Sequence, residues 1–210
     1  MSSPLSKLII FAKAPIAGTV KTRLQPQYSA QNAASLQEYF ILKTVEMASN
    51  LKKVDIELRC APDDSHLIFQ QCVNQYGITS KPQQGRDLGE RMKNALAEAL
   101  TEHSQAVVIG TDCPDITPAY LNEAFSKLEY GVDAVIGPAM DGGYVLLGLR
   151  SFSPLLFENV RWGTEQVLSA TQQNLHLLNW NWDELNTLRD IDTPEDLAHF
   201  PDILRQACLN

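Results

Sequence analysis

With 210 residues, 44% of them hydrophobic and 20% charged, the chain has a globular composition and enough length for one well-packed core. The 17 Lys and Arg stand against 25 Asp and Glu, a formal charge of -8. That acidic balance excludes a general nucleic-acid or membrane-surface binder, because each needs a basic footprint.

The apolar run near the N-terminus is short and ends at Lys13, unlike a secretory signal, and no stretch has the length of a transmembrane helix. Cys60, Cys72, Cys113 and Cys208 form no CxxC pair, and His66, His103, His176 and His199 are equally scattered. Free, reduced thiols and a cytoplasmic location are therefore expected, with no membrane insertion and no soft-ligand metal site.

In chain order, KLIIFA (7–12) is an apolar run that predicts a buried strand. Ala33, Leu36, Phe40, Val45 and Met47 then recur at roughly helical spacing. VDIELRC (54–60) alternates as a half-covered strand does, and 62–76 predicts a helix opened by capping acids. Residues 81–100 read as a Gly- and Pro-punctuated loop running into a helix, with Leu88, Met92, Ala95, Leu96, Ala99 and Leu100 on one face.

AVVIG (106–110) has the unbroken apolarity of a strand buried on both faces. Thr117 and Pro118 open a helix over 117–128, and strands are expected at 133–139 and 144–149 around an MDGG break. A helix over 163–174, a strand over 175–180 and a Thr-capped helix over 193–200 complete the reading. This alternation, without repeat or linker, predicts a single α/β domain over 1–210, with a mostly parallel sheet and helices on both faces.

In open α/β sheets ligands sit at the carboxyl ends of the strands. The loop after the first strand holds Lys13, Gly18, Lys21 and Arg23, a concentration of cations suited to phosphate, although neither a Walker nor a GxGxxG pattern is present. After the strand at 106–110 comes TDCPD, in which Asp112 either caps a turn or holds a hard divalent ion. Asp141, Gly142 and Gly143 make a hairpin-turn signal that also allows close backbone approach to a ligand. Asp190 and Asp192 precede a helix N-terminus and suit capping; Trp162 suits either the core or a substrate platform.

The ordered set AKAPIAGTVKTRL, QQGRDLGERM, GTDCPD, GPAMDGGYVLLGL, RWGTEQV and DIDTPEDL resembles a bacterial family of GT-A-like proteins assigned to glycosyl transfer. That family is similar to nucleotide-diphospho-sugar transferases and to molybdenum-cofactor guanylyltransferases. The resemblance runs from about residue 7 to 200. It implies a GT-A, Rossmann-like fold, a nucleotide or nucleotide sugar with an acceptor as partners, and Mg²⁺ or Mn²⁺ as cofactor.

By the same resemblance, Lys13, Gly18, Lys21 and Arg23 would cradle the phosphates, and Arg86 and Asp87 would lie near the nucleoside. Asp112 and Asp192 would hold the metal. Asp141 and Lys21 would be the catalytic side chains, and Gly142, Gly143, Trp162 and Thr164 would face the substrate. Glycosyl transfer from a nucleotide-diphospho-sugar is the leading expectation. Many GT-A glycosyltransferases carry Asp-x-Asp where this chain has TDCPD, which is closer to nucleotidyltransferases. Nucleotidyl transfer with pyrophosphate release is thus the alternative, and a non-catalytic nucleotide-binding module a further one.

Overall fold

The structure, a computed structural model, describes residues 6–25 and 27–207; Cys208 lies outside them. Its strands are β1 (Ser6–Lys13), β2 (Val54–Ala61), β3 (Thr79–Pro82), β4 (Gln105–Gly110), β5 (Ala134–Pro138), β6 (Tyr144–Leu149) and β7 (Trp182–Glu184). They form one seven-stranded sheet in the order β3-β2-β1-β4-β6-β5-β7. All neighbours pair in parallel except β6, which runs antiparallel to both β4 and β5.

The helices are α1 (Ala30–Ala48), α2 (Leu67–Tyr76), α3 (Leu88–Ala99), α4 (Pro118–Glu129), α5 (Val167–Leu177), α6 (Pro194–Ala198) and α7 (Pro201–Gln206). Alternate residues of β1 serve opposite layers, as the strand period requires. Leu8 and Ile10 pack with Ile41 and Val45 of α1, Phe69 of α2 and Leu121 of α4. Ile9 packs on the other face with Met92 and Leu96 of α3 and Leu175 of α5. Helices on both faces of a mostly parallel sheet are what the alternating pattern predicted. A third, smaller cluster joins Leu24, Leu36, Phe40, Ile191 and Leu197, and so ties the turn after β1 to the C-terminal segment.

Several local expectations are corrected. β2 is buried from Ile56 onward, because its polar face is covered: Glu57 and Arg59 are ion-paired to each other and reach Lys7 and Glu98. The acids at 63 and 64 do not cap α2. Asp63 instead accepts from the Ser65 backbone N–H, and the cap is His66. A short edge strand, β3, takes in Lys81 and Pro82, the first two residues of the stretch expected to be loop.

The strand expected over 175–180 is the end of α5 followed by a turn. Thr171, Asn174 and Leu175 are buried at helical spacing, and the strand comes later, at Trp182–Glu184. Thr117 and Thr193 cap their helices as expected. Asp196 completes a reciprocal capping box with Thr193.

Leu147 lies on β6, fully buried between β4 and β5. Leu147→Ala is expected to cost about 2–5 kcal/mol, since the antiparallel strand is fixed on both sides and cannot collapse into the cavity. Urea denaturation checks this as a lowered midpoint at unchanged slope.

Candidate active site

A cleft of about 540 Å³ opens at the carboxyl ends of β1 and β4. Because β6 runs backwards, its first residue, Tyr144, and the turn before it also reach this edge. The cleft is thus lined from both sides of β4.

Lys21 organises the first side. Its backbone takes the left-handed conformation, φ 47°, uncommon for a residue with a side chain. The side chain turns inward and is 3% exposed. Its ammonium lies 2.9 Å from Asp112 Oδ1 and 3.5 Å from Asp192 Oδ1, donates to the Ile191 carbonyl at 2.5 Å, and sits 5.5 Å from the centre of the Phe40 ring. The Ile191 N–H in turn donates to the Asp112 carbonyl at 2.9 Å. Lys21 therefore joins segments 170 residues apart. A loop cation suited to phosphate is thus already paired within the chain, because the tertiary fold brings the 190s segment against it.

Arg23 is exposed, with its Nη1 3.3 Å from Asp192 Oδ2. Lys13 lines the cleft and donates to the Thr19 carbonyl at 2.7 Å. Gly18, φ 83°, turns the same loop without lining the cleft. Below them Gln37, on α1, donates to Thr111 Oγ1 at 3.1 Å and steadies the start of the TDCPD turn.

Across β4, Asp141 Oδ1 accepts from the Gly143 N–H at 2.9 Å, closing the turn between β5 and β6. Gly143 lines the cleft; Gly142 faces away, and a Cβ there would collide with the Glu165 carbonyl. Asp190 also lines the cleft. Its carboxyl is pushed up to about 6 by burial and then by the charges of Asp141, Asp192 and Asp112. Trp162 stacks on Phe157, meets Tyr144 edge-on and lies directly over Gly89 of α3. Thr164 lines the cleft beside it and donates to the Arg161 carbonyl at 2.8 Å.

Arg86 and Asp87 are not brought into the cleft. Arg86 pairs with Glu90 one turn along α3, and Asp87 caps that helix by accepting from the Glu90 N–H. Arg91, Leu88 and Gln83 line that end instead. The sequence signal for Arg91 is its place one turn after Leu88. Asp190 carries only a capping signal, and its crowding by other carboxylates arises from three separate loops.

A largely parallel sheet in this order, with one reversed strand and a cleft at the strand ends, has the nucleotide-diphospho-sugar transferase type of fold. The chain belongs to the bacterial family described as "Uncharacterized protein conserved in bacteria (DUF2064)", whose model matches residues 44–164. It is similar to a solved protein of Desulfovibrio desulfuricans G20, named provisionally as a nucleotide-diphospho-sugar transferase. That likeness is 30% identity at TM-score 0.82, over 96% of this chain and 97% of the other.

At 12% identity it shares a fold with CMP:2-keto-3-deoxy-manno-octonic acid synthetase complexed with CTP, at TM-score 0.57 over 96% of this chain and 98% of that one. The Rv0371C protein of Mycobacterium tuberculosis H37Rv, solved in complex with manganese, matches at 18% identity and TM-score 0.50 over 95% of this chain and 97% of its own. No curated protein matches the sequence. Among the described residues no helix is long and apolar enough to cross a membrane.

Two outcomes follow from the site's electrostatics. Lys21→Met leaves the Ile191 carbonyl and Asp112 without their cation and Asp192 with Arg23 alone, and a loss of about 1–3 kcal/mol is expected. Arg23→Ala, at 69% side-chain exposure, should stay within about 0.5 kcal/mol of the parent. Thermal and urea melts of the two variants check the contrast.

Asp190 supplies the pH dependence. Its folded value near 6 lies above the ordinary 3.8, so between those values the unfolded chain binds fewer protons. Stability from this group therefore falls as pH rises from about 4 to 6. Asp190→Asn should match the parent near pH 3.5 and exceed it at pH 7 by on the order of 1 kcal/mol, allowing for solvent screening. Urea melts in EDTA across that range measure it.

Proposed function

We propose that this protein is a metal-dependent transferase using a nucleotide-activated donor, and that it transfers a glycosyl group from a nucleotide-diphospho-sugar. The carrying observation is the Lys21 ammonium held between Asp112 and Asp192, with Lys13 and Arg23 beside it at the strand ends. Cations suited to phosphate and carboxylates suited to a dication meet at one point. The likeness to the Desulfovibrio protein, over nearly all of both chains, supports the glycosyl reading.

The donor set fits Mg²⁺ or Mn²⁺. Asp112 and Asp192 offer hard oxygen ligands, and both converge on one cation already. Among the described residues no three ligating side chains gather around a common point. An ion there would complete its shell with substrate phosphates, the usual arrangement for magnesium. When bound, it supplies charge neutralisation at the phosphates.

The chain's own residues divide the remaining work. Lys13 and Arg23 bind phosphate oxygens through charge-assisted hydrogen bonds. Lys21 orients Asp112 and Asp192 and keeps positive potential where charge develops on the departing phosphate. Asp141, at the mouth of the turn, orients the acceptor and takes its proton. Arg91, Gln83 and Leu88 border the nucleoside end, while Gly143, Trp162 and Thr164 border the transferred group. The buried free thiols of Cys60, Cys72 and Cys113 accord with a cytoplasmic setting.

Nucleotidyl transfer is the second reading, favoured by one observation: Asp112 stands in TDCPD rather than Asp-x-Asp.

Product analysis separates the two. Incubation with a panel of nucleotide sugars, nucleoside triphosphates and acceptors should release a nucleoside diphosphate; pyrophosphate from a triphosphate would establish the second reading. Neither product, despite tight metal-dependent binding, would mark a binding module. Asp112→Asn should abolish the extra thermal stabilisation that Mg²⁺ or Mn²⁺ gives the nucleotide complex, whereas Asp115→Asn, exposed in the turn beyond, should keep it. An unchanged metal response in Asp112→Asn would move the ion elsewhere.

A further inference from the structure

The cleft is sorted by charge. Its basic lining residues, Lys13, Lys21, Arg23 and Arg91, all come from the end of β1, the segment after it and α3. The part built by the β5–β6 turn, the start of β6 and the segment before α5 contributes no Lys or Arg. The nearest basic residues in sequence do not serve it. Arg189 is turned to Asp196, 3.1 Å away, and Arg161 does not line the cleft.

The carboxylates of the cleft are not evenly balanced. Asp112 and Asp192 are ion-paired to Lys21 and Arg23, but Asp141, in the β5–β6 turn, and Asp190, in the segment before α6 whose carboxyl feels the Asp141 charge, have no ion-pair partner among the described residues. The crowding of like charge around Asp190 expresses the same excess.

The rest of this wall is aromatic and apolar. Trp162 is held between Phe157, stacked at 6.4 Å and 24°, and Tyr144, edge-on at 6.4 Å. It closes over Gly89, where a Cβ would collide with the indole. Val145 and Val167 continue the surface. The indole is therefore a fixed plate beside uncompensated negative charge.

We infer that the acceptor entering this half of the cleft is an uncharged alcohol or an amine carried on an apolar face, and not a phosphorylated or carboxylated molecule. The inference rests on the proposed function, in which the basic half holds the nucleotide. An anionic head would be forced against Asp141 and Asp190 with no cation to meet it, a like-charge contact in a partly dry site. A hydroxyl or ammonium finds hydrogen-bond acceptors there, and an apolar ring or chain finds Trp162. The acceptor's reactive group is then a hydroxyl, or an amine that has first given up its extra proton. As its oxygen or nitrogen bonds to the sugar carbon, the bond from that carbon to the phosphate oxygen breaks, the nucleoside diphosphate leaves with the electron pair, and the O–H or N–H proton passes to a carboxylate of this wall.

Three probes with one ring and different heads test it: 2-phenylethanol, phenethylamine and phenyl phosphate. Binding is read by NMR at the Trp162 indole N–H, assigned with Trp162→Phe. The basic half is filled by Mg²⁺ and whichever common nucleoside diphosphate binds. The amine and the alcohol should shift the Trp162 signal, with phenyl phosphate weaker by about tenfold or more. The Asp141→Asn/Asp190→Asn double variant should shrink the amine-over-phosphate ratio by a similar factor.

Phenyl phosphate binding as tightly as the alcohol, an unchanged ratio in the double variant, or no probe reaching Trp162 would each overturn the inference. Failure of every nucleoside diphosphate to bind would instead overturn the proposed function. The charge preference at Trp162 is then still read on the free protein.

Discussion

One buried ammonium sets the geometry on which the cleft depends. Lys21 contacts Asp112 at the end of β4, Asp192 and the Ile191 carbonyl from the C-terminal segment, and the Phe40 face from α1. A cation withdrawn from water in this way needs hydrogen-bond acceptors and opposite charge within reach. Those partners come from parts of the chain with no local reason to meet. Satisfying Lys21 therefore also fixes where Asp112 and Asp192 stand. The apolar cluster beneath, with Leu24, Phe40 and Ile191, holds the same segments together by burial.

Strand direction provides the second constraint. In an all-parallel sheet only strand ends and the loops after them would reach the ligand edge. The reversal of β6 brings a tight turn there as well, so Asp141 and Gly143 face the cleft opposite the loop after β1. The turn is docked from behind. The Gly142 carbonyl accepts from the Leu168 N–H at 3.0 Å, and no side chain fits at Gly142 against Glu165. The turn is thereby tied to the start of α5, next to the loop carrying Trp162 and Thr164.

These constraints give the cleft its two chemical halves. Cations gather on the side of β1 and α3, while unpaired carboxylates and an aromatic plate face them across β4. In an acidic chain, such sorting concentrates attraction for phosphate in one place and repels it elsewhere. A second charged group, Lys7, Glu57, Arg59 and Glu98, lies under β2 and is neutralised internally. It fastens β1 and β2 to α3 without facing the cleft.

Much of this was legible in the sequence, for local physical reasons. Unbroken apolar runs at 8–12 and 106–110 determine buried strands, Thr-Pro pairs determine helix starts at 118 and 194, and strand–helix alternation determines the sheet class. The cations after β1 and the aspartate after β4 follow from strand ends, and both line the cleft. What the sequence could not settle depends on distance along the chain. The alternation in β2 does not say that an ion network covers its polar face. The polar and apolar residues of 175–180 do not say that Leu175 packs as helix. Nor does the spacing within 81–100 tell which of Arg86, before α3, and Arg91, on it, turns toward the cleft. The sequence by itself determined which segments carry charge; only the tertiary structure decided which of those charges are buried, paired or left facing a ligand. Pairing depends on segments up to 171 residues apart meeting in a dry interior, where one missing partner is costly.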